Sequence, residues 1–318
     1  MKKSNKICWT ITDEFPGMKS QVIGLAEAIG LETVHKTCKR RWPWGWLSLP
    51  WGNPLNQLTP GSDPLTPPWP DLVITCGRRS APFGLAIKKQ NPKKTFCVHI
   101  QNPLFNLKAF DLIIAPEHDH LKGPNVISTK GALHKVTKEK IQEGVQAHGS
   151  LFKDFPRPYN VVLIGGKTNH YNMPLKVLEA LIQSILQIRD ITQGSVLVTP
   201  SFRTPFRDVL RKTLENEPNV FLADFEKVNP YFAMLGVADT LFVTDDSVNM
   251  LCEACFTGKP VHILPLLGHK NSKCKKFIEE LVQGKTVRMF EGEVNSWTYE
   301  PFNDTEKIAV LVRKAMNL

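Results

Sequence analysis

Residues 229–266 read NPYFAMLGVADTLFVTDDSVNMLCEACFTGKPVHILPL, and the order of apolar and polar residues in this stretch decides the fold. Thr240–Thr244 is a short apolar run suited to a buried parallel strand. Asp245–Ser247 is a polar turn, and Val248–Phe256 has helical spacing before Gly258 and Pro260 stop it. At about 100° per residue, Val248, Leu251, Cys252 and Cys255 share one helix face, while Asp246, Asn249, Met250 and Glu253 share the other. The spacing predicts a helix–strand–loop–helix–strand unit whose turn lies at the carboxyl edge of a parallel sheet. Asp246 is then the helix cap, and Glu253 looks outward. Ligands bind at that edge in open parallel sheets, and a helix N-terminus suits a phosphate. An ordinary capped helix with a solvated face gives the same pattern.

The rest of the chain extends this reading. Its 318 residues favour two domains. Strand and helix patterns alternate, with strands at 6–12, 71–76, 95–100 and 110–115 and helices at 18–29 and 82–89, which argues for βαβ units. FKDFPRPY, at 152–159, reads as a linker before a second α/β series. The expected architecture is α/β, with two Rossmann-like domains facing a cleft, spanning 1–155 and 156–318. A helix at about 303–318 is expected to pack back on the first domain.

A net charge of +10 points to an anionic partner, with nucleotide, phospholipid and nucleic acid all compatible. The lysines of HKNSKCKK, at 269–276, have no nucleic-acid motif around them. Ile7–Ile11 is too short for a signal-peptide core, and no run reaches the roughly 18 apolar residues of a membrane span. Seven cysteines in mostly apolar runs fit a reducing compartment. A cytoplasmic protein, peripheral on the inner face of the membrane, is expected.

Several strand ends carry groups able to do chemistry. VVLIGGKTNHYNMP runs from a strand into Gly165, Gly166, Lys167, Thr168 and Asn169, where glycines allow close backbone approach to a phosphate. A Walker P-loop is excluded, because its leading glycine would fall at Val161. VTPSFRTP places Ser201 and Arg203 at the next strand end, with Arg203 suited to a phosphate or carboxylate. In the first half, TDEFPGMKSQ puts Asp13 after the first strand, as a helix cap or a functional group. TCGRRSAP puts Gly77, Arg78 and Arg79 after another. HIQNP and APEHDH supply His99, Glu117, His118 and Asp119 as candidate bases, with Glu117 and His118 preferred. No metal site or cofactor is expected. The tryptophan-rich segment from Lys39 to Pro70 sets Trp42, Trp44 and Trp46 beside Lys39, Arg40 and Arg41. Two readings fit it: a loop for an anionic membrane surface, and tryptophans folded back on the domain.

Ordered blocks along nearly the whole chain carry a resemblance. They include TDEFPGMKSQVIGLAEAIG, PDLVITCGRRSAP, FDLIIAPEHD, LIGGKTNHY, TPSFRTP and the 229–261 stretch. The chain resembles bacterial members of the family named for the plant mitochondrial fission factor "elongated mitochondria", and is similar, more distantly, to GT-B glycosyltransferases. The GT-B resemblance implies a nucleotide-sugar donor held by the second domain. Gly165, Gly166 and Ser247 would face its phosphates, Glu253 its ribose, and residues 225–229 its base. It also implies metal-independent transfer to an acceptor, here a lipid or envelope glycan. Met18 and Lys19 depart from the small residues usual in that family's first turn. A nucleotide-sugar epimerase or hydrolase, or a non-catalytic membrane-associated scaffold, are the rival expectations.

Overall fold

The computed structural model describes residues 6–44, 52–168, 171–224, 229–267 and 273–318. It divides into two compact units, Met1–Lys135 with Asn303–Leu318, and Val136–Phe302. Along the chain the helices are α1 (Pro16–Ile29), α2 (Ala81–Gln90), α3 (Lys138–His148), α4 (Leu175–Thr192) and α5 (Arg207–Leu214). They continue with α6 (Tyr231–Val237), α7 (Val248–Phe256), α8 (Lys273–Gln283) and α9 (Asp304–Ala315).

The first unit holds β1 (Ile7–Thr12), β2 (Glu32–Thr37), β3 (Leu72–Cys76), β4 (Phe96–Ile100), β5 (Leu112–Pro116) and β6 (Val126–Thr129). All pair in parallel, in the order β2-β1-β3-β4-β5-β6. The largely apolar sequence of β3, LVITC, follows from burial of both its faces. On one face Val22, Leu25 and Ile29 of α1 pack with Ile308, Ala309 and Val312 of α9, and on the other Phe83 and Ile87 of α2 pack with Trp9 and Ile113. Burying Ile308 and Val312 contributes about 4 kcal/mol. Polar bonds add to this attachment: Gly131 N donates to Asp304 (3.1 Å), and His134 N donates to Thr305 Oγ1 (3.1 Å). Helix α1 begins at Pro16, whose fixed φ suits a first turn, and ends at Gly30, left-handed at φ +78°.

The second unit holds β7 (Tyr159–Ile164), β8 (Ser195–Pro200), β9 (Val220–Leu222), β10 (Thr240–Thr244), β11 (Val261–Leu264) and β12 (Arg288–Met289). These are parallel in the order β12-β11-β10-β7-β8-β9. The chain runs outward from β7 to β9, then restarts on the other side of β7 with β10. Its core packs Leu178, Ile182 and Ile185 of α4 over Val162, Val198 and Phe242.

The division between Lys135 and Val136 lies upstream of the boundary expected at 155/156. Helix α3, before the expected linker, already belongs to the second unit. It meets α6 at glycines, because a Cβ on Gly144 would stand 2.6 Å from Phe232, and one on Gly236 2.4 Å from Val145. The segment 152–159 is likewise integrated, with Phe152 buried and its carbonyl accepting from Tyr159 OH (2.7 Å).

Candidate functional site

The reversal of strand order at β7 and β10 leaves their carboxyl ends adjacent, with the following loops turning away to opposite sides. Gly165 N donates to Thr244 Oγ1 (2.8 Å), which donates to Asp246 Oδ1 (2.7 Å), and Gly166 N donates to Asp246 Oδ2 (2.7 Å). Arg203 Nη2 approaches the same carboxylate at 3.4 Å, and the Asp246 side chain is wholly buried. Asp246 is therefore not a helix cap. Ser247 occupies the N-cap of α7 and makes no side-chain capping bond. The role expected of the glycines also changes. A Cβ on Gly165 would stand 2.2 Å from both Asp246 oxygens, and one on Gly166 would stand 2.2 Å from the Arg203 carbonyl. Both glycines make room for the protein's own groups, and both N–H groups are already bonded within the chain.

The neighbouring loop completes this frame. Lys167 N donates to the Arg203 carbonyl (2.9 Å), and Arg203 Nη1 donates to the Lys167 carbonyl (3.1 Å). Ser201 Oγ donates to the Gly165 carbonyl (2.8 Å). Thr168 N donates to the Tyr171 carbonyl (2.7 Å), and Tyr171 OH donates to the Leu267 carbonyl (3.1 Å). Burial, then the carboxylates of Asp245 and Asp246, push the Tyr171 hydroxyl up to about 12. Lys167 is exposed, while Asn249 and Met250 are half-buried on the first turn of α7. Asn169 lies outside the described residues.

Glu253 is buried rather than outward-facing. Tyr231 of α6 covers it, and the Tyr231 hydroxyl donates to Glu253 Oε2 at 2.5 Å. Burial and that carboxylate hold the hydroxyl pKa well above its ordinary value. Of the residues expected to meet the donor base, 225–228 lie outside the described part, and Asn229 Oδ1 accepts from Tyr231 N (3.1 Å).

In the first unit the corresponding reversal lies between β1 and β3. Asp13 follows β1, is 6% exposed, accepts from Phe15 N (3.5 Å) and stands 3.8 Å from Arg79 Nη1. Burial raises its pKa, against the pull of the Phe15 N–H and Arg79. Asp13 is not a helix cap either, since α1 starts behind Phe15. Gly77, after β3, is left-handed at φ +79°, and a Cβ there would meet Met18 Sδ at 2.7 Å. Met18 thus packs over the glycine turn, while Arg78 and Arg79 are exposed.

The candidate bases are not brought together. The order β1-β3-β4-β5 sets Glu117 three strands from Asp13, roughly 14 Å at the usual strand spacing. Glu117 is exposed in a single turn, Glu117–Asp119, and the side chain of His118 lies outside the described part. His99 is fully buried and bonded through Nδ1 to Thr75 Oγ1 (2.7 Å), and burial lowers its pKa to about 3. Among the described residues, no three His, Cys, Asp or Glu side chains are grouped to hold a metal ion. Thr244 and Tyr231 were missed in the sequence; T-D-D at a strand end was the available signal for the first.

Residues 16–316 match the family model described as mitochondrial fission ELM1. The chain belongs to the mitochondrial fission ELM1 family. It is 31% identical over 275 residues to the mitochondrial fission protein ELM1 of Arabidopsis thaliana, covering 78% of this chain and 64% of that protein. The chain therefore spans a little under two thirds of that relative's length. Solved structures share the fold at low identity. The Methanocaldococcus jannaschii UDP-GlcNAc 2-epimerase, in complex with UDP-GlcNAc and UDP, aligns at 13% identity with a TM-score of 0.56 over 98% of this chain and 100% of that one. Acinetobacter baumannii MurG aligns at 11% identity with a TM-score of 0.50 over 98% and 92%. This ELM1-family chain thus has the two-sheet α/β fold of GT-B glycosyltransferases and epimerases.

The tryptophan segment of this ELM1-family chain divides its basic residues. Arg40 is buried, and its Nε and Nη2 donate to Gln57 Oε1 at 2.9 and 2.5 Å. Lys39 is paired with Glu14 at 2.5 Å, and Arg41 is exposed. Trp42 is 85% exposed, and Trp44 is half-buried, 6.0 Å from the Arg40 guanidinium. Trp69 packs edge-on against Trp9 at 6.1 Å, while Trp46 and Trp51 lie outside the described residues. Among the described residues no helix is long and apolar enough to cross a membrane.

Proposed function

We propose that this ELM1-family protein holds a nucleotide-activated sugar at the carboxyl edge of the second unit's sheet and transfers the sugar, without a metal ion, to a lipid or envelope-glycan acceptor. The observation that carries this reading is the strand order β12-β11-β10-β7-β8-β9, which sets the Gly165–Thr168 and Asp245–Ser247 loops side by side where open parallel sheets take ligands. Arg203, Lys167 and the N-terminal N–H groups of α7 supply positive potential for a diphosphate. Asp246 works behind them, holding both loops and the guanidinium in place. Glu253, buried and held by the Tyr231 hydroxyl, acts from behind the first turns of α7 and positions the side that meets the ribose. In the first unit Asp13 is the base for the acceptor hydroxyl, because a carboxylate with a raised pKa is a stronger proton acceptor.

Calorimetric titration of the full chain with nucleoside diphosphates and nucleotide-sugars tests this reading. Binding is expected, weakened roughly tenfold or more by Arg203→Ala through loss of a charge-assisted contact. Glu253→Gln should weaken nucleoside diphosphates more than inorganic diphosphate. Absence of binding to every nucleotide would remove the proposal. The epimerase fold likeness favours a second reading, nucleotide-sugar epimerisation at the same edge. Proton NMR of donor incubated without acceptor separates the two, since an epimerase inverts a sugar centre with no acceptor present.

A further inference from the structure

The carboxyl edge of the first unit's sheet presents large apolar side chains from three separate loops. Phe15 follows β1 and is 48% exposed, Trp42 follows β2 at 85%, and Leu104 follows β4 at 67%. Across the sheet these strands lie in the order β2-β1-β3-β4, and the intervening β3 ends in Arg78 and Arg79. Neighbouring strands are about 4.8 Å apart, so the row spans roughly 15 Å. Scattered exposed apolar residues need no explanation, whereas a row of them along one edge does.

Local hydrogen bonds fix the loops that carry these exposed side chains. The loop bearing Trp42 has a fixed stem: Arg41 N donates to the Gln57 carbonyl (2.8 Å), Thr59 N donates to the Lys39 carbonyl (2.9 Å), and buried Arg40 grips Gln57. Phe15 stands at the N-cap of α1, where its carbonyl accepts from Met18 N (3.0 Å) and Lys19 N (3.1 Å). Leu104 N donates to Asn102 Oδ1 (2.8 Å), and Leu104 itself sits at φ +66°, a region that disfavours a branched side chain. Neither packing nor backbone preference accounts for leucine at this position.

Charge narrows the partner. Lys39 is neutralised by Glu14, and Arg79 stands beside Asp13. Among the described residues no carboxylate pairs with Arg41 or Arg78, so this edge keeps an excess of positive charge beside its apolar groups. Arg41 Nη2 donates to the Asn56 carbonyl (2.8 Å), which leaves its charge uncompensated. Tryptophan, aliphatic groups and arginines without a carboxylate partner together match the boundary of an anionic bilayer, where rings lie among headgroups and guanidinium groups meet phosphate.

We infer that the β2-β1-β3-β4 edge of the first unit docks on an anionic lipid surface, with Phe15, Trp42 and Leu104 entering the headgroup region and Arg41 and Arg78 contacting lipid phosphates. The inference is independent of the donor proposal, because docking is measured without nucleotide. In flotation assays the full chain is expected to rise with vesicles of phosphatidylcholine containing phosphatidylglycerol, and less with phosphatidylcholine alone. Arg41→Glu with Arg78→Glu, both at exposed positions, should lower partitioning by roughly tenfold or more. Phe15→Ser, Trp42→Ser and Leu104→Ser together should abolish it. Val310→Ser with Leu311→Ser, exposed on α9 away from that edge, should leave it unchanged. Soluble glycerol phosphate should not displace the protein; displacement would mean a phosphate site rather than a lipid surface. Equal flotation of the arginine variant and the parent, or none with anionic vesicles, would overturn the inference.

Discussion

At the edge of the second unit's sheet a buried carboxylate holds two loops together, whereas at the edge of the first an almost equally buried one holds little. Asp246 takes hydrogen bonds from Gly166 N and Thr244 Oγ1 and an ion pair from Arg203. Asp13 has a distant backbone donor and an arginine 3.8 Å away that is half exposed. The glycines differ in the same sense. Gly165 is pressed against carboxylate oxygens, while Gly77 is met by the flexible thioether of Met18. Similar strand-end motifs therefore do different work: one fixes a polar frame, and the other permits a backbone turn while its neighbours face outward.

The largest expected effect follows from the tightest contact. Gly165→Ala places a methyl 2.2 Å from both Asp246 oxygens and should cost on the order of 4 kcal/mol in urea unfolding. Next, Asp246→Ala leaves the Gly166 N–H and Arg203 without their acceptor, a loss of about 3 kcal/mol in the same measurement. Gly77→Ala meets a side chain that can move and pays mainly for its left-handed backbone, roughly 1–2 kcal/mol. Equal costs at Gly77 and Gly165 would break the contrast between the edges.

The smallest effect should have the opposite sign. The folded-state pKa of Asp13 is raised, so the native chain keeps that proton to higher pH than the unfolded chain does. Its stabilising contribution is present below the unfolded carboxylate pKa and is lost as pH rises through the folded one. Asp13→Asn should therefore raise the melting temperature slightly at neutral pH and match the parent in acid. A lower melting temperature at neutral pH would show that Arg79 outweighs burial, making the two edges more alike.

The strand Thr240–Thr244 and helix Val248–Phe256 were legible because a fully buried strand and a sheet-facing helix leave strong local patterns. The edge strands β2, ETVHKT, and β6, VIST, were not, since strands buried on fewer sides carry no apolar run. Helix α3 was hidden for a related reason: it buries no side chain and docks through close backbone approach. At the candidate site, residue types and strand-end positions could be read, but orientation could not. Asp246 turns inward to accept from Gly166, 80 residues away, and Glu253 is covered by a tyrosine 22 residues earlier. Helical periodicity records neither partner.

Helix α9 closes the core of the first unit, which the chain leaves at Lys135 and re-enters at Asn303. During synthesis, residues 136–302 emerge as one continuous stretch before α9 exists. The unit translated first is thus the one completed last, and until then the Val22–Ile29 side of α1 lacks the helix that covers it. A nascent chain stalled between Met289 and Asn303 carries an unfinished first core together with every strand of the second.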